Sequence, residues 1–395
     1  MLERAKKLSD ELVRLRRDVH QHPELGFREF RTARLVAETL QEIGGFEIKT
    51  GVGHTGVVGE IGDGDGPTIA IRADMDALPI KEQNDAPYRS QNEGVMHACG
   101  HDAHTAMLLG AAHLLRRCYE EERWQGRVRL LFQPSEEMFN EDGISGATAM
   151  IEEGALEGVD AVIALHVDST EKAGRFLFHD GRALAAVDSF EAWLYASGGH
   201  GAAPHRGADP LFMLGPVLNA IYAIPSRRIN PIYPCVVSLG EVSGGSASNV
   251  IPCEVYIQGT LRSYHPEVRE QLWEEVERAL ALSKTLGGDY KLSIQKGYPP
   301  MHNDARVNNW MRDVVGDLAG SDHVVEDESA MGAEDFAYMT ELAPGAMVSL
   351  GAAVDDGVRR AHHTPIFDID ESVLPLGAAV LAETARRYVV DGLSL

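Results

Sequence analysis

The sequence has few cysteines and no long apolar run. Its four cysteines, Cys99, Cys118, Cys235 and Cys253, are too few and too scattered for a disulfide framework. No apolar stretch approaches the roughly 18 to 20 residues that a membrane-spanning helix needs. The charged N-terminal residues 1–7 lack the apolar core of a secretion signal. We therefore expect a cytoplasmic protein with no membrane partner.

Positive charge is also scarce. The formal net charge is −24 at pH 7, and no basic patch could dominate such a field, so we expect no nucleic-acid partner. Hydrophobic residues make up 44% of the chain, which is enough for well-packed cores. Because 395 residues exceed the usual size of a single domain, the length predicts two.

Residues 97–104 concentrate the side-chain types that bind transition metals. The segment contains His97, Cys99, His101, Asp102 and His104. Behind it, apolar residues repeat at helical spacing, which predicts a loop that enters a helix. A thiolate, imidazoles and a carboxylate so close together suit a borderline-soft divalent cation. Two alternatives stay open: a polar helix entry capped by Asp102 or Thr105, and a nucleophilic Cys99 activated by histidine.

Further candidate ligands follow predicted strands. Asp74 and Asp76 follow a strand-like run at residues 68–71, and Glu136 and Glu137 follow another at residues 128–132. His166 and Asp168 follow a third run at residues 161–165. A loop near the C-terminus adds His362 and His363. Ligand sites in open α/β sheets lie at the carboxyl ends of strands, so we expect these side chains to meet. Alone, Glu136 and Glu137 would be a solvated acidic pair. Beside a metal cluster, they are better interpreted as one ligand and one general base.

The order of predicted elements indicates one domain inserted into another. Predicted strands alternate with predicted helices up to about residue 180, as in a layered α/β domain, and the same alternation resumes after residue 298. Between them, the predicted order is β-α-β-β-α-β, with strands at 187–196, 235–242, 253–262 and 290–295 and helices at 209–223 and 266–285. We predict a mixed-sheet α/β domain built from residues 1–184 and 299–395, interrupted by a ferredoxin-like domain of residues 185–298.

A set of short segments, ordered along essentially the whole chain, carries a family resemblance. The segments are residues 17–26, 72–79, 96–105, 133–137, 199–205, 249–252, 334–336 and 363–365. In order and spacing they resemble the dinuclear metallohydrolases of the aminoacylase, hippurate hydrolase and carboxypeptidase-G group. The branch most similar includes N-acyl-amino-acid amidohydrolases and auxin-conjugate hydrolases. The resemblance implies a dinuclear-metal catalytic domain with an inserted lid and dimerisation domain.

The resemblance also implies roles for individual residues. It implies two divalent ions per chain (zinc, manganese, cobalt or nickel), with these ligands: Cys99, His101, Glu137, His166 and His363. Glu136 matches the catalytic glutamate, which takes a proton from the attacking water and returns it to the leaving amine. His362 is the rival of His363 as ligand. Asp76 is expected to orient a ligand rather than to bind metal; His97 and His104 are expected to do the same.

In the inserted domain, the resemblance implies that His200 stabilises the oxyanion in the partner subunit of a homodimer. Asn249 and Arg262 match residues that bind the free carboxylate of the substrate. Without the resemblance, Arg262 would be interpreted as a surface strand residue.

The expected activity is hydrolysis of an N-acyl amino acid, such as an N-acetyl or N-benzoyl derivative, to a carboxylic acid and a free amino acid. A metallo-dipeptidase or carboxypeptidase-like enzyme is the nearest alternative, and a catalytically silent metabolite-binding homologue is another. The segments 138–146 and 168–174 depart from the usual pattern of the branch. Because both adjoin the expected metal site, they leave the acyl group open.

Overall fold

The computed structural model describes residues 1–392. Its strands are β1 (Glu47–Val52), β2 (Gly56–Asp74), β3 (Gln125–Gln133), β4 (Ala161–Lys172), β5 (Phe176–Phe178), β6 (Gly181–Leu184), β7 (Ala186–Tyr195), β8 (Gly199–His200), β9 (Cys235–Ser243), β10 (Val250–Ile251), β11 (Glu254–Ser263), β12 (Asp289–Lys296), β13 (Met301–Asn303), β14 (Val324–Glu326) and β15 (Gly345–Ala353).

Its helices are α1 (Leu2–Ala5), α2 (Ser9–Gln21), α3 (Phe30–Ile43), α4 (His101–Glu122), α5 (Gly146–Glu152), α6 (Pro210–Arg227), α7 (Pro266–Leu280), α8 (Leu282–Thr285), α9 (Ala305–Ala319), α10 (Phe336–Leu342) and α11 (Leu374–Asp391). Among residues 1–392, none of these helices is both long enough and apolar enough to cross a bilayer.

The chain divides into two compact units. Unit 1 comprises residues 1–181, 302–328 and 338–395, and unit 2 comprises residues 182–301 and 329–337. Unit 1 is built on a seven-stranded sheet of order β1-β2-β4-β15-β5-β14, with β3 paired to β2. Parallel and antiparallel pairs both occur in this sheet, which confirms the predicted mixed-sheet α/β class.

The carboxyl ends of the central strands lie side by side in unit 1. Asp74, at the end of β2, pairs with Gln133, at the end of β3. Two residues before Asp74, Arg72 pairs with Ala164 of β4. His166 lies two residues further along β4, so it lies next to the ends of β2 and β3. The strand-end placement predicted from the sequence is confirmed for β2 and β3, whereas β4 extends past its predicted end at residue 165 to Lys172, so His166 lies within the strand.

Helix α4 begins at this edge and runs through the core. Its N-cap is Gly100, whose φ of 100° is left-handed. A Cβ at this position would lie 2.2 Å from Cγ2 of Val167, so only glycine fits. The alternative of a cap by Asp102 or Thr105 is wrong. Asp102 binds Arg16 at 2.7 Å, and the Thr105 hydroxyl donates to the Asp74 carbonyl at 3.0 Å.

Unit 2 contains a four-stranded antiparallel sheet of order β12-β7-β11-β9. Helices α6 and α7 pack on one face, where alternate strand residues such as Phe190, Leu194 and Ile257 join a separate hydrophobic core. The chain order β7-α6-β9-β11-α7-β12 is the predicted β-α-β-β-α-β plan. A short ribbon of β8 and β10 is added to it.

Candidate metal centre and active site

Five side chains at the strand-end edge of unit 1 form two triads that share Cys99. In the first triad, ligand atoms of Cys99, His101 and His166 lie within 4.8 Å of one another; in the second, those of Cys99, Glu137 and His363 do. The Cys99 Sγ lies 3.5 Å from Nε2 of His166. Nε2 of His363 lies 3.0 Å from Oε1 of Glu137. The two triads thus contain the five residues for which the sequence implied a ligand role.

Asp76 orients the first triad. His101 donates from Nδ1 to the Asp76 carbonyl at 2.9 Å and to Asp76 Oδ1 at 3.1 Å. The opposite nitrogen, Nε2, is buried and has no hydrogen-bond partner within residues 1–392. A histidine whose Nδ1 is held by a carboxylate and whose Nε2 makes no hydrogen bond has the arrangement of a metal ligand.

The adjacent side chains of Glu136 and Glu137 lie in different places in the site. Glu137 belongs to the second triad, and its backbone N–H donates to Oδ2 of Asp76 at 2.9 Å. Glu136 belongs to neither triad, although its Oε2 lies 4.0 Å from Nε2 of His101. Ser135 precedes them with a left-handed φ of 45°, which turns the chain sharply after β3. Neighbouring carboxylates can therefore serve different purposes at one site.

The C-terminal loop distinguishes its two histidines. His363 has a left-handed φ of 59°, and its backbone N–H donates to the Ala98 carbonyl at 2.8 Å, so the loop is tied to the segment that carries Cys99. His362 instead accepts the backbone N–H of Ser169 at Nε2, 3.3 Å away. The geometry therefore favours His363 over His362 as a ligand.

His104 and Asp74 form a buried network beside the triads. His104 donates from Nδ1 to Asp74 Oδ1 at 2.6 Å and accepts the Val167 N–H at Nε2, 2.9 Å away. The other oxygen of Asp74 lies 2.5 Å from an Arg72 guanidinium nitrogen. Asp74, His101 and His104 are close enough to hold a metal, but both nitrogens of His104 already have protein partners. His97 is buried nearby, and neither ring nitrogen has a hydrogen-bond partner in the described part of the chain.

The electrostatics of the cluster fit a cation. Burial raises the pKa of the Cys99 thiol well above its ordinary value, and the carboxylates of Glu137 and Glu136 add to the rise. Burial alone would lower the pKa of His101, but Asp74 and Asp76 raise it to about 10. A partly buried group of sulfur, nitrogen and oxygen donors with this excess of negative charge is suited to borderline-soft divalent metals.

Unit 2 brings two of its three predicted site residues together. His200 of β8 pairs with Val250 of β10, and the Gly201 N–H donates to the Asn249 carbonyl at 2.8 Å. Arg262 lies near the far end of β11, eight residues beyond Glu254, or about 26 Å along an extended strand. Its guanidinium donates to the Thr260 hydroxyl at 2.6 Å. Within unit 2, Arg262 therefore does not share a site with His200 and Asn249.

Comparison with known proteins decides the family. Residues 70–387 match the sequence profile of peptidase family M20/M25/M40. The chain belongs to this family.

Several M20 relatives extend over nearly the full chain. Thermostable carboxypeptidase 2 of Saccharolobus solfataricus is 39% identical over 388 residues, which cover 97% of this chain and 96% of the relative. N-acetyl-L-cysteine deacetylase of Bacillus subtilis is 39% identical over 387 residues, covering 97% and 89%. Among solved structures, the YXEP protein of Bacillus subtilis, a dinuclear metal binding peptidase from the M20 family, superposes with a TM-score of 0.83 at 33% identity, covering 97% of this chain and 99% of that one.

Membership of the M20 family makes the protein a metal-dependent hydrolase of amide or peptide bonds. The predicted family, fold class and enzyme class are thereby confirmed.

Two residues beside the M20 site were not singled out by the sequence. Glu29 accepts the backbone N–H of Ser135 at 2.8 Å, across 106 residues of sequence. Arg16 donates to Asp102 across 86 residues. In the sequence, Glu29 is a single acidic residue before α3 and Arg16 is a basic residue within α2. Neither pattern indicates so distant a partner.

Proposed function

We propose that this protein hydrolyses N-acyl amino acids to a carboxylic acid and a free amino acid, using two divalent metal ions per chain. The observation that carries the proposal is the position of Glu136. The residue is 6% exposed, and its carboxylate lies beside His101, where it is close enough to join His101 and Glu137 but lies outside the two triads that share Cys99. Five donors are thus available for two ions, and a sixth, acidic side chain remains for proton transfer.

The chain's own residues divide the chemistry as follows. Glu136 accepts the proton of the attacking water at its carboxylate and returns it to the departing amine nitrogen. Asp76 holds His101 by one oxygen and the Glu137 backbone by the other, so that both ligands keep their orientation. When bound by the five donors, the two ions would supply Lewis-acid activation of the water and of the amide carbonyl. Zinc, manganese, cobalt and nickel are all compatible with this donor set.

We further propose that unit 2 forms a homodimer and that His200 stabilises the oxyanion in the partner's site. Asn249 would bind the substrate carboxylate; Arg262, which does not share a site with His200 and Asn249 within unit 2, would have to reach that carboxylate from the other subunit of the dimer. Large apolar side chains are exposed on unit 2, including Phe212 at 64%, Tyr222 at 55% and Val250 at 51%. Exposed apolar side chains of this size are available for a protein–protein contact.

A cytoplasmic location is part of the proposal. All four cysteines are free thiols. Cys99, the shared donor of both triads, would lose its ligand role if it were oxidised, which a reducing compartment prevents.

Two other functions compete with the proposal. A relative named thermostable carboxypeptidase favours peptide cleavage, in which the amine of the substrate is free or part of a longer chain. The protein could instead be a catalytically silent homologue that only binds a metabolite. The presence of Glu136 together with the five donors at one edge of the sheet argues against this function.

A substrate panel distinguishes these functions. Metal-loaded protein is incubated with N-acetyl, N-benzoyl and longer N-acyl amino acids and with dipeptides that carry a free amine, and released amino acid is quantified. Glu136→Gln protein, purified identically, controls for contaminating hydrolases. Turnover confined to dipeptides would establish the peptidase. Equal release of amino acid by the wild-type protein and by Glu136→Gln would show that the protein does not catalyse the reaction and would favour the silent homologue.

A further inference from the structure

One buried carboxylate in unit 1, that of Glu29, lies among three strained backbone segments. Phe27, His54 and Ser135 have left-handed φ values of 58°, 80° and 45°, a conformation that few non-glycine residues adopt and that costs conformational energy. Glu29 itself is 0% exposed. Such strain persists only where surrounding contacts hold it in place.

Glu29 contacts all three segments through hydrogen bonds that it accepts. Oε1 accepts the N–H of Phe27 at 3.1 Å and the N–H of Ser135 at 2.8 Å. Oε2 accepts the hydroxyl of Thr55, the residue after His54, at 2.5 Å. The Phe27 and His54 rings also meet edge to face, with centroids 5.2 Å apart.

The ionised form of Glu29 depends on these hydrogen bonds because its surroundings disfavour a negative charge. Burial raises its pKa to about 7, and the Asp76 carboxylate adds to the rise. No lysine or arginine pairs with it in the described residues. Hydrogen bonds donated by Phe27, Thr55 and Ser135 stabilise the ionised form in place of a counter-ion.

Ser135 connects this carboxylate to the active site. Its N–H is held by Glu29, and its carbonyl accepts the N–H of Gly146 at 2.9 Å, so the peptide groups on both sides of its left-handed turn are fixed. The next two residues are Glu136 and Glu137. We propose that Glu29 is a positioning residue that holds this turn and thereby directs the two glutamates to their separate places. The inference rests on the proposed function only for what those glutamates do.

The chain offers a matched control in Glu24. Its carboxylate accepts the N–H groups of Arg31 and Thr32, both at 2.9 Å, and the Thr32 hydroxyl at 3.0 Å. Glu24 thus holds the first turn of α3 with about as many hydrogen bonds as Glu29 accepts, but it makes no hydrogen bond to Ser135.

The test compares Glu29→Ala, Glu29→Gln and Glu24→Ala in the full-length protein. With metal at saturation, kcat and KM are measured on the best substrate of the panel, and thermal unfolding is recorded for each variant. We expect Glu29→Ala to lower kcat by about 10- to 100-fold with little change in KM, because misplaced catalytic groups cost turnover rather than substrate binding. Glu29→Gln should recover most of this loss, since its amide oxygen still accepts the Ser135 N–H. Glu24→Ala should keep the wild-type kcat at a comparable loss of stability.

A second readout is independent of any substrate. The affinity of each variant for Zn²⁺, measured by chelator competition, should fall about 10-fold for Glu29→Ala and stay unchanged for Glu24→Ala, because Glu29, unlike Glu24, holds the turn that leads to Glu137. If wild-type protein hydrolyses nothing, the proposed function fails while this readout still tests Glu29. Wild-type zinc affinity in Glu29→Ala, or equal losses in the two alanine variants, would overturn the positioning role.

Discussion

Oδ1 of Asp76 lies 3.1 Å from Nδ1 of His101. The other oxygen of the same carboxylate accepts the backbone N–H of Glu137 at 2.9 Å. A single buried side chain therefore fixes two proposed ligands that belong to different triads, and its removal should disturb both metal positions together.

Asp76→Ala is expected to weaken metal binding by about 10- to 100-fold, the usual cost of removing a group that orients metal ligands. Isothermal titration of the metal-free protein measures the effect. Asp304→Ala serves as control, because Asp304 caps α9 by accepting the N–H groups of Arg306 and Val307. The control should lose about 1 kcal/mol of stability with unchanged metal affinity. Unaltered binding by Asp76→Ala would mean that His101 keeps its orientation without it.

Metal removal tests the two-ion proposal. Dialysis against a chelator should abolish hydrolysis, and added manganese, cobalt, zinc or nickel should restore it, because the donors require a cation for catalysis. Elemental analysis of active protein should give two ions per chain. A ratio of one in fully active protein would contradict the assignment of two separate triads.

Glu136→Gln isolates the proton-transfer role. The amide preserves the shape of the side chain but accepts no proton, so kcat should fall by at least about 100-fold. Metal content should be unchanged, whereas Glu137→Gln should lose metal, since Glu137 belongs to the triad with Cys99 and His363. The opposite pattern of metal loss in these two variants would reverse their roles.

His200→Ala tests the contribution of unit 2. Loss of one oxyanion donor should lower kcat by about 100- to 1,000-fold with metal content intact. When the variant is mixed with inactive Glu136→Gln chains, subunit exchange should restore activity, because one site of each mixed dimer is then complete. Verified mixed dimers that remain inactive would rule out action across the subunit boundary.

Arg16→Met tests the stability of the core beneath the metal loop. The Arg16 guanidinium binds Asp102 with both side chains 0% exposed, so its removal should cost about 3 to 5 kcal/mol of unfolding free energy. Burial tends to raise the pKa of Asp102, but Arg16 and His20 hold it well below its usual range. The stabilisation that the ionised Asp102 gives the folded protein is fully present above the pKa of an aspartate in the unfolded chain, which is about 3.9. It is lost as the pH falls below that value. Denaturation experiments should therefore show the largest gap between variant and wild type at neutral pH and a narrower gap below about pH 4.

The sequence predicted those features that depend on local pattern and on the geometry of parallel strands. Asp76, Glu136 and His166 each follow a strand-like run, and parallel strands end at a common edge, so their proximity followed from the pattern. The β-α-β-β-α-β order of unit 2 was predicted in the same way, with strand ends within a few residues of those observed, as for β7 and β12.

Contacts across long stretches of chain could not be predicted. Asp102 looked like a helix cap because it stands at the start of α4, but a guanidinium 86 residues away binds it instead. Glu29 is an unremarkable acid in the sequence, and only the folded chain shows that it faces Ser135. Hydrogen-bond partners of this kind depend on how elements pack, which local periodicity does not encode.

The arrangement of the two triads has a thermodynamic consequence. Cys99 precedes α4, His101 is the first residue of α4, Glu137 follows β3, His166 lies within β4, and His363 lies on the loop before α11. An unfolded chain cannot gather these donors, so ions that need all of them bind only the native state and stabilise it by mass action. Free metal concentration should then set the melting temperature as well as the activity, and metal starvation would expose the chain to unfolding and proteolysis.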